Sequence, residues 1–391
     1  MELTLLGTAA PEGLPRPGCP CAGCAACLGE HVRAATTILV DATLLLDATP
    51  AAGAAAARAG YAPSGIGHVL STGPGGGPPA GQDLTTASGH RVRAVPVDVP
   101  GTGYAVTGPD GTRALYLPPG AAPAEPTEPA EPAGAERPYE VVLADVLGRP
   151  EALARLRAAG AVGPDTDVIA VHLDHDAPPG AELARRCTAA GARAVPDGTA
   201  VPVGRPTPTP VVPRRTLVLG GTRSGKSHQA ELRLETYPDV VYAATGGGRA
   251  GDPDWPHRVH LHRERRPAHW HTVETRELLP LLAEDGPPLL IDCLASWLSD
   301  AMERVDAGDD TAWTAGGRQR LRARADELVA AVRATRRRVV LVSSEVGAGV
   351  EPATARQRRY RDELGRLNAA VAAACEEVLL VVAGQVLPLK G

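Results

Sequence analysis

The pattern of apolar and polar residues changes near residue 215. Before that point, short apolar runs such as 36–40 and 141–144 predict many strands, and only 151–159 and 181–190 have a clear helical pattern. This part is therefore predicted to be a β-rich layered α/β domain. After that point, strand-like runs alternate with helical segments, which predicts parallel βαβ units and an open sheet. The predicted strands there are 216–220, 240–244, 289–292, 339–343 and 378–382, and the main predicted helices are 319–334 and 355–374.

Two proline-rich segments interrupt these patterns. Residues 118–138 repeat an E-P-[TA] theme without periodicity, which predicts a disordered surface insertion. Residues 201–215 (VPVGRPTPTPVVPRR) come just before the return to strand-like sequence and are the best candidate for a linker. We therefore predict an N-terminal domain over 1–200, a linker over 201–215 and a C-terminal domain over 216–391.

Composition narrows the functional classes. The chain has 391 residues, of which 43% are apolar, and its net charge of −5 does not favour a nucleic-acid partner. No apolar stretch is long enough to span a bilayer and the first residues lack a signal-peptide pattern, so we expect a cytoplasmic protein. In that compartment the seven cysteines indicate metal ligands, buried thiols or catalytic groups rather than disulfides. Only two of the 40 basic residues are lysines, Lys226 and Lys390.

One of these lysines lies in a phosphate-binding motif. Residues 220–227 read GGTRSGKS, follow an apolar strand and open a predicted helix, the context that the G-x-x-x-x-G-K-[ST] motif requires. Glycines let backbone N–H groups surround an anion, Lys226 can reach the β- and γ-phosphates, and Ser227 can ligate Mg²⁺. Asp292, at the end of a predicted strand, fits the second carboxylate for Mg²⁺, although it could also be a helix cap or turn residue. The motif predicts a nucleoside triphosphate with Mg²⁺ but does not specify the reaction.

A basic segment with four histidines follows, RVHLHRERRPAHWH over 258–271. Its arginines would repel a metal cation, so an anion site is the better interpretation: an imidazole could attack an α-phosphate while arginines neutralise the departing pyrophosphate. A solvated basic loop with incidental histidines is the alternative.

The motifs GGTRSGKS, YAATG, HRERRPAHW, LLIDCLASW and SSEVGAGVEP resemble, in this order, those of the bifunctional adenosylcobinamide kinase / adenosylcobinamide-phosphate guanylyltransferase family. The resemblance covers about 214–391 and implies a P-loop NTPase fold of the RecA-like type. It implies phosphorylation of adenosylcobinamide by ATP or GTP, then transfer of GMP from GTP to adenosylcobinamide-phosphate through a guanylylated histidine, with release of pyrophosphate. It also implies a homotrimer.

Residue by residue, the resemblance implies that His262 and Lys226 are catalytic and that Ser227 and Asp292 hold Mg²⁺. His260 does not occupy the matching position. The implied nucleotide contacts are Gly220, Gly221, Thr222, Arg223, Ser224, Gly225, Lys226, Ser227, Thr245, Gly246, Gly247, His262, Arg263, Glu264, Arg265, Glu274 and Asp292. Two alternatives stay open: a P-loop kinase of another small molecule, and a regulatory GTP-binding module.

The N-terminal part has a different chemical signature. Cys19, Cys21, Cys24 and Cys27 form C-x-C-x-x-C-x-x-C, a spacing that can hold one tetrahedral Zn²⁺, and His172 and His175 follow a later strand as further candidate ligands. The segments GTAAPEGLPRPGCPCAGC, LLLDA and VHLDHDAPPGAEL resemble the metallo-β-lactamase fold, which implies four layers in the order αββα. The resemblance also implies a structural Zn²⁺ on Cys19, Cys21, Cys24 and His175, with Cys27 as a spare or competing ligand.

The catalytic motif of that fold is missing. Active members carry H-x-H-x-D-H after the strand that here is 68–71, whereas this chain continues with Thr-Gly-Pro-Gly-Gly-Gly-Pro. His172 and Asp145, which resemble later ligands, cannot hold two catalytic metals alone. We therefore predict a degenerate, hydrolytically inactive domain with a binding or scaffolding role. A hydrolase that uses other ligands is the rival interpretation.

Overall fold

A computed structural model describes residues 1–77, 83–124, 137–205, 210–246 and 266–391. The chain forms two compact units, one made of Met1–Val212 with Thr236–Pro238 and the other of Pro213–Glu235 with Asp239–Gly391. Within the described ranges, none of the helices combines the length and the apolar character needed to cross a membrane.

The N-terminal unit contains two β-sheets. The first has five strands in the order β11-β1-β2-β3-β4 and the second has six in the order β10-β9-β8-β7-β6-β5. The strands are β1 Glu2–Gly7, β2 Thr37–Val40, β3 Leu44–Leu46, β4 His68–Leu70, β5 Asp83–Thr85, β6 Arg91–Val95, β7 Gly103–Thr107, β8 Arg113–Tyr116, β9 Val141–Ala144, β10 Asp167–Ala170 and β11 Thr199–Pro202. The helices are Ala22–Ala26, Ala52–Arg58, Pro150–Ala158 and Gly180–Ala189, with short 3-10 turns at Gly29–His31 and Pro63–Gly65.

Alternating side chains from the two sheets form one shared core, which includes Leu5 and Ile38 from the first sheet and Val106 and Leu143 from the second. The outer face of the first sheet is covered by helix Ala52–Arg58. Helices Pro150–Ala158 and Gly180–Ala189 cover the outer face of the second. Because each sheet buries both faces, the unit has the predicted four-layer order αββα.

The C-terminal unit is built on one seven-stranded sheet with the order β14-β13-β15-β16-β12-β17-β18. All its neighbouring strands are parallel except the final pair, in which β18 runs antiparallel to β17. The strands are β12 Arg215–Gly220, β13 Val241–Ala244, β14 His271–Glu274, β15 Leu289–Asp292, β16 Val339–Ser344, β17 Glu377–Val382 and β18 Gln385–Lys390. The described helices are Lys226–Glu231, Leu279–Ala283, Leu294–Glu303, Asp310–Ala312, Arg318–Ala334 and Ala355–Ala374, with a π-helical segment at Trp313–Gly317.

This sheet confirms the predicted mostly parallel α/β fold. One strand, β16, separates the phosphate-loop strand β12 from β15, which ends at Asp292. Apolar residues of β12, β15 and β16 pack against the helices Leu294–Glu303, Arg318–Ala334 and Ala355–Ala374 in one core. The carboxyl ends of the parallel strands meet at one edge, where α/β proteins bind ligands.

The proline-rich segments are partly structured. Val201 and Val203 are buried, and β11 pairs with β1, so the start of the predicted linker belongs to the N-terminal unit. Ala121 and Ala122 are also fully buried, and Ala122 belongs to the core on the outer face of the second sheet, so the start of the predicted insertion is structured. Residues 125–136 and 206–209 lie outside the described residues.

Candidate nucleotide and metal sites

The phosphate loop links β12 to the helix Lys226–Glu231. Its backbone conformation requires glycine at two positions. Gly225 has φ +95°, a left-handed conformation that favours glycine, and Arg223 has φ +59°. A Cβ on Gly220 would lie 2.4 Å from the Ser224 Oγ and 2.6 Å from the carbonyl oxygen of Val381. The first glycine is therefore required by close packing, and the last by its backbone angle.

Internal hydrogen bonds hold this loop in a compact turn. The Ser224 N–H donates to the Gly221 carbonyl at 3.3 Å, and the N–H of Gly384, in the turn between β17 and β18, donates to the Ser224 carbonyl at 2.9 Å. The Lys226 ammonium donates to the Gly221 carbonyl at 3.1 Å. Gly221, Thr222 and Arg223 are exposed. The loop thus presents solvent-facing backbone and one ammonium group, the combination that a phosphate chain requires.

Asp292 lies at the carboxyl edge of the same sheet. Asp292 on β15 and Val218 on β12 are both paired with Val342 of the intervening β16, so β15 ends level with the upper part of the phosphate-loop strand. Burial raises the pKa of the Cys293 thiol, the Asp292 charge raises it further, and the Lys226 charge lowers it by a smaller amount. Serine hydroxyl and carboxylate oxygens are hard ligands that suit Mg²⁺, so Ser227 and Asp292 fit this ion chemically.

In the N-terminal unit, Cys19, Cys21, Cys24 and His175 come together. Their ligand atoms all lie within 4.8 Å of one another, and the His175 Nδ1 is 3.6 Å from the Sγ atoms of Cys19 and Cys21. The Sγ of Cys27 instead donates to the carbonyl oxygen of His31 at 2.9 Å, and Cys27 is not a member of the cluster. A set of three sulfur ligands and one imidazole matches a structural tetrahedral Zn²⁺ site.

Local hydrogen bonds prepare this cluster for a cation. Hydrogen bonds lower the pKa of the Cys21 thiol to about 6, mainly the bond from the backbone N–H of Cys24 and next the bond with the His175 side chain. This lower pKa favours the thiolate. Burial raises the pKa of Cys24 to about 11. The hydrogen bond with Cys21 raises the pKa of His175. Zinc binding would release the protons that the ligand thiols still carry.

The other candidate metal ligands of this unit are used internally. The His172 ring is buried, its Nε2 lies 3.0 Å from the Leu117 carbonyl oxygen, and burial lowers its pKa to about 4. Asp145 accepts backbone N–H groups of Gly148 and Gly120 at 2.8 and 3.3 Å. Both residues therefore have structural partners where the resemblance would place metal ligands.

The comparisons with known proteins identify the C-terminal unit. Residues 216–389 match the family model described as cobinamide kinase / cobinamide phosphate guanyltransferase. The bifunctional adenosylcobalamin biosynthesis protein CobP of Pseudomonas aeruginosa is 42% identical over 182 residues, which are 45% of this chain and 98% of that protein. The chain belongs to this cobinamide kinase / guanyltransferase family. CobU of Salmonella typhimurium is 38% identical over 176 residues, or 43% of this chain and 95% of that protein.

Two solved structures are similar to the N-terminal region. A diphosphatase of the PhnP family has a TM-score of 0.38 and 17% identity, and covers 51% of this chain and 97% of that chain. Zinc-bound PqqB of Methylobacterium extorquens has a TM-score of 0.37 and 16% identity, and covers 52% of this chain and 100% of that chain.

The remaining kinase / guanyltransferase contacts predicted from sequence are only partly described. Glu274 ends β14 beside Ala244 and is exposed at the same sheet edge, and Gly246 follows β13. Thr245 is fully buried, its N–H donates to the Asp292 carbonyl at 3.0 Å, and its hydroxyl bonds both the N–H and the carbonyl of Cys293. The Thr245 side chain therefore holds the backbone that follows Asp292. The predicted contacts that lie outside the described residues are Gly247, His262, Arg263, Glu264 and Arg265.

Three residues beside this site are absent from the sequence prediction. The hydroxyl of Tyr242 donates to the Asp292 Oδ2 at 2.6 Å, the Arg266 guanidinium stacks on the Tyr242 ring, and the Glu231 carboxylate lies 3.9 Å from Arg266. Tyr242 lies in the predicted strand 240–244 and Arg266 in the basic segment 258–271. Neither pattern indicates a contact with Asp292. Their positions depend on the pairing of β13 with β15, which the sequence does not specify.

Proposed function

We propose that the C-terminal unit carries out both reactions of its family at the phosphate loop: phosphorylation of adenosylcobinamide, then guanylyl transfer to adenosylcobinamide-phosphate. The observation that carries this proposal is the compact Gly220–Ser227 loop, with Lys226 and Asp292 at one sheet edge, in a segment that aligns with almost the whole length of a bifunctional relative. ATP or GTP would be the phosphoryl donor and GTP the guanylyl donor.

In the first step the loop N–H groups and Lys226 would hold the β- and γ-phosphates. Ser227 and Asp292 would hold Mg²⁺, which when bound neutralises phosphate charge. The substrate hydroxyl oxygen forms a bond to the γ-phosphorus while the β–γ bridging bond breaks, and the hydroxyl proton leaves to solvent. The products are the nucleoside diphosphate and adenosylcobinamide-phosphate.

In the second step His262 would be the nucleophile. An imidazole nitrogen forms a bond to the α-phosphorus of GTP, and the bond to the departing pyrophosphate breaks. A phosphate oxygen of adenosylcobinamide-phosphate then attacks the same phosphorus and releases the histidine, giving adenosylcobinamide-GDP. Arg263 and Arg265, close to His262 in the chain, would neutralise charge on the pyrophosphate.

Covalent labelling tests the second step. The full-length protein is incubated with Mg²⁺ and GTP labelled at the α-phosphate, and an acid-labile label on the protein is expected because a phosphoramidate forms. His262→Ala should lose the label, whereas the matched control His260→Ala should keep it. A wild-type protein that phosphorylates adenosylcobinamide without ever acquiring a label would be a kinase alone. Slow GTP hydrolysis with no transfer at all would instead favour the regulatory module.

For the N-terminal unit, we infer that Cys19, Cys21, Cys24 and His175 bind one structural Zn²⁺ and that the unit has no dinuclear hydrolytic centre. The cluster geometry supports the first part of this inference. The second part is supported by the internal partners of His172 and Asp145 and by a strand end, 71–77, that offers no imidazole or carboxylate. Two or more transition metals per chain together with phosphodiesterase activity would contradict it.

We also propose a homotrimer, by resemblance to the family. Sedimentation equilibrium should give three times the chain mass of 40.3 kDa. A monomeric mass would contradict this proposal without affecting the two reactions.

A further inference from the structure

A buried polar cluster lies directly behind the Asp292 carboxylate. Tyr242, on β13, is 1% exposed and its hydroxyl donates to the Asp292 Oδ2 at 2.6 Å. The Arg266 guanidinium lies 3.3 Å from the centroid of the Tyr242 ring. The Arg266 side chain is 9% exposed and the Glu231 side chain, on the phosphate-loop helix, is 2% exposed. Charged and polar groups this deeply buried require a reason, because burial without partners costs free energy.

The Tyr242 hydroxyl restricts how the Asp292 carboxylate can rotate. A phenol carries its proton at neutral pH, and at 2.6 Å from a carboxylate oxygen the Tyr242 hydroxyl acts as the donor. A phenol hydroxyl donates only one hydrogen bond, and here that bond goes to Oδ2. Across the described residues, the structure records no hydrogen bond to the other carboxylate oxygen, Oδ1. The protein therefore holds one of the two carboxylate oxygens, Oδ2, through Tyr242.

Arg266 in turn fixes the Tyr242 ring. A guanidinium on the face of an aromatic ring is attracted by the ring quadrupole, most strongly where water is excluded. The Arg266 Nη1 donates to the Thr272 hydroxyl on β14 at 3.3 Å, and its Nε lies 3.9 Å from the Glu231 Oε1, an ion-pair distance without a hydrogen bond. The guanidinium thereby connects the phosphate-loop helix to β13 and β14.

We propose that Tyr242 is a positioning residue that orients the Asp292 carboxylate for Mg²⁺-nucleotide, and that Arg266 holds the Tyr242 ring in place. The pair acts through Asp292 and touches no substrate. This inference rests on the proposed function only in that Asp292 serves Mg²⁺ at the phosphate loop. Substitution of a residue that hydrogen-bonds a metal-ligating side chain typically lowers metal affinity or activity by about 10–100-fold.

The test measures binding, which separates it from the two reactions. Binding of GTP to the full-length protein is followed by equilibrium dialysis while Mg²⁺ is varied, for wild type and Tyr242→Phe. The variant keeps the ring and loses only the hydroxyl, so the half-saturating Mg²⁺ concentration should rise by about 10-fold or more. Tyr360→Phe is the matched control, because it removes a hydroxyl that donates to a backbone carbonyl, that of Ala295, in the same unit. Its Mg²⁺ dependence should be that of wild type.

Substitution of Arg266 provides a second readout. Arg266→Gln removes the cation but keeps a planar amide, so a smaller rise in the half-saturating Mg²⁺ concentration is expected. Arg266→Lys restores the positive charge and should reverse part of this rise.

Unchanged Mg²⁺ dependence in Tyr242→Phe, or weaker GTP binding by an equal factor at every Mg²⁺ concentration, would overturn the inference. If Tyr242→Phe does not fold, wild-type Mg²⁺ dependence in Arg266→Gln would overturn it. If wild type binds Mg²⁺-GTP but does not act on adenosylcobinamide, the proposed function fails while this inference stands.

Discussion

The two units use polar residues near strand ends in opposite ways. In the C-terminal unit the phosphate-loop residues Gly221, Thr222 and Arg223 are exposed, and Asp292 is only half-buried. In the N-terminal unit the Asp47 carboxylate accepts hydrogen bonds from the backbone N–H and the hydroxyl of Thr72 and from the hydroxyl of Tyr116, each at 2.7 Å. A binding site needs donors and acceptors whose partner is the ligand, whereas groups that already have internal partners stabilise the fold.

The difference extends to histidine. His172 stacks on Tyr116, with ring centroids 5.6 Å apart, and its Nε2 is bonded to a carbonyl, so the ring has become part of the core. His175, three residues later, lies beside two thiols at the surface of the same unit. Histidine is thus a core residue at position 172 and a candidate zinc ligand at position 175.

The largest effect that would test this comparison is expected at Lys226. Lys226→Ala removes the ammonium group that we propose binds the phosphates. It should lower the turnover of adenosylcobinamide about 10³-fold, or roughly 4 kcal/mol of transition-state stabilisation. Lys390→Ala is the matched control, because Lys390 donates to carbonyl groups at the end of helix Ala355–Ala374. It should leave turnover unchanged and slightly lower the melting temperature. Equal turnover in wild type and Lys226→Ala would show that the exposed loop is not the active site.

A smaller effect is expected on removal of the metal from the N-terminal unit. Cys21→Ser should abolish stoichiometric zinc, measured by atomic absorption, and lower the free energy of unfolding of that unit by about 2.7 kcal/mol where free zinc is 100 times its Kd. Cys27→Ser, whose thiol bonds to the His31 carbonyl oxygen, should keep one zinc per chain. Nucleotide binding should be the same in both variants. Loss of zinc in Cys27→Ser with retention in Cys21→Ser would reverse the ligand assignment.

The smallest effect is the pH dependence of the N-terminal unit. Burial holds the pKa of His172 at about 4 in the folded state, below its usual value of 6.5, so only the unfolded chain takes up this proton between these values. The free energy of unfolding is therefore highest above about pH 6.5, where His172 is neutral in both states. As the pH falls from 7 to 5, protonation of His172 in the unfolded chain lowers the free energy of unfolding by about 2 kcal/mol. The substitution His172→Asn suits the left-handed backbone, φ +58°, and should remove this dependence.

The difference between the two unfolding curves isolates the His172 contribution, because acid also protonates the zinc ligands in both proteins. Parallel curves for wild type and His172→Asn would show that the ring is not held neutral by burial.

Local sequence patterns predicted much of this fold. The predicted helices 319–334 and 355–374 differ by at most one residue from the observed helices Arg318–Ala334 and Ala355–Ala374. The strand, loop and helix around GGTRSGKS are also where they are predicted, because each of these elements has a strong local signal. Helix Ala52–Arg58 and strand β18 were missed. The first is nearly all alanine and glycine, so it lacks an amphipathic pattern, and the second is a mostly exposed edge strand.

The sequence by itself determined which chemistry this protein carries: the phosphate loop with its lysine, the carboxylate at the end of an apolar strand, and the thiolate-rich segment. Each of these is a signal contained in a few consecutive residues. The family resemblance of the sequence already implied that His175, more than 150 residues away, is a ligand and Cys27 a spare, and the structure brings the four ligand atoms together. Only the tertiary structure decided that Tyr242 and Arg266 stand behind Asp292. These contacts depend on how strands pair and sheets pack, and strand register and packing are set by the whole core rather than by neighbouring residues.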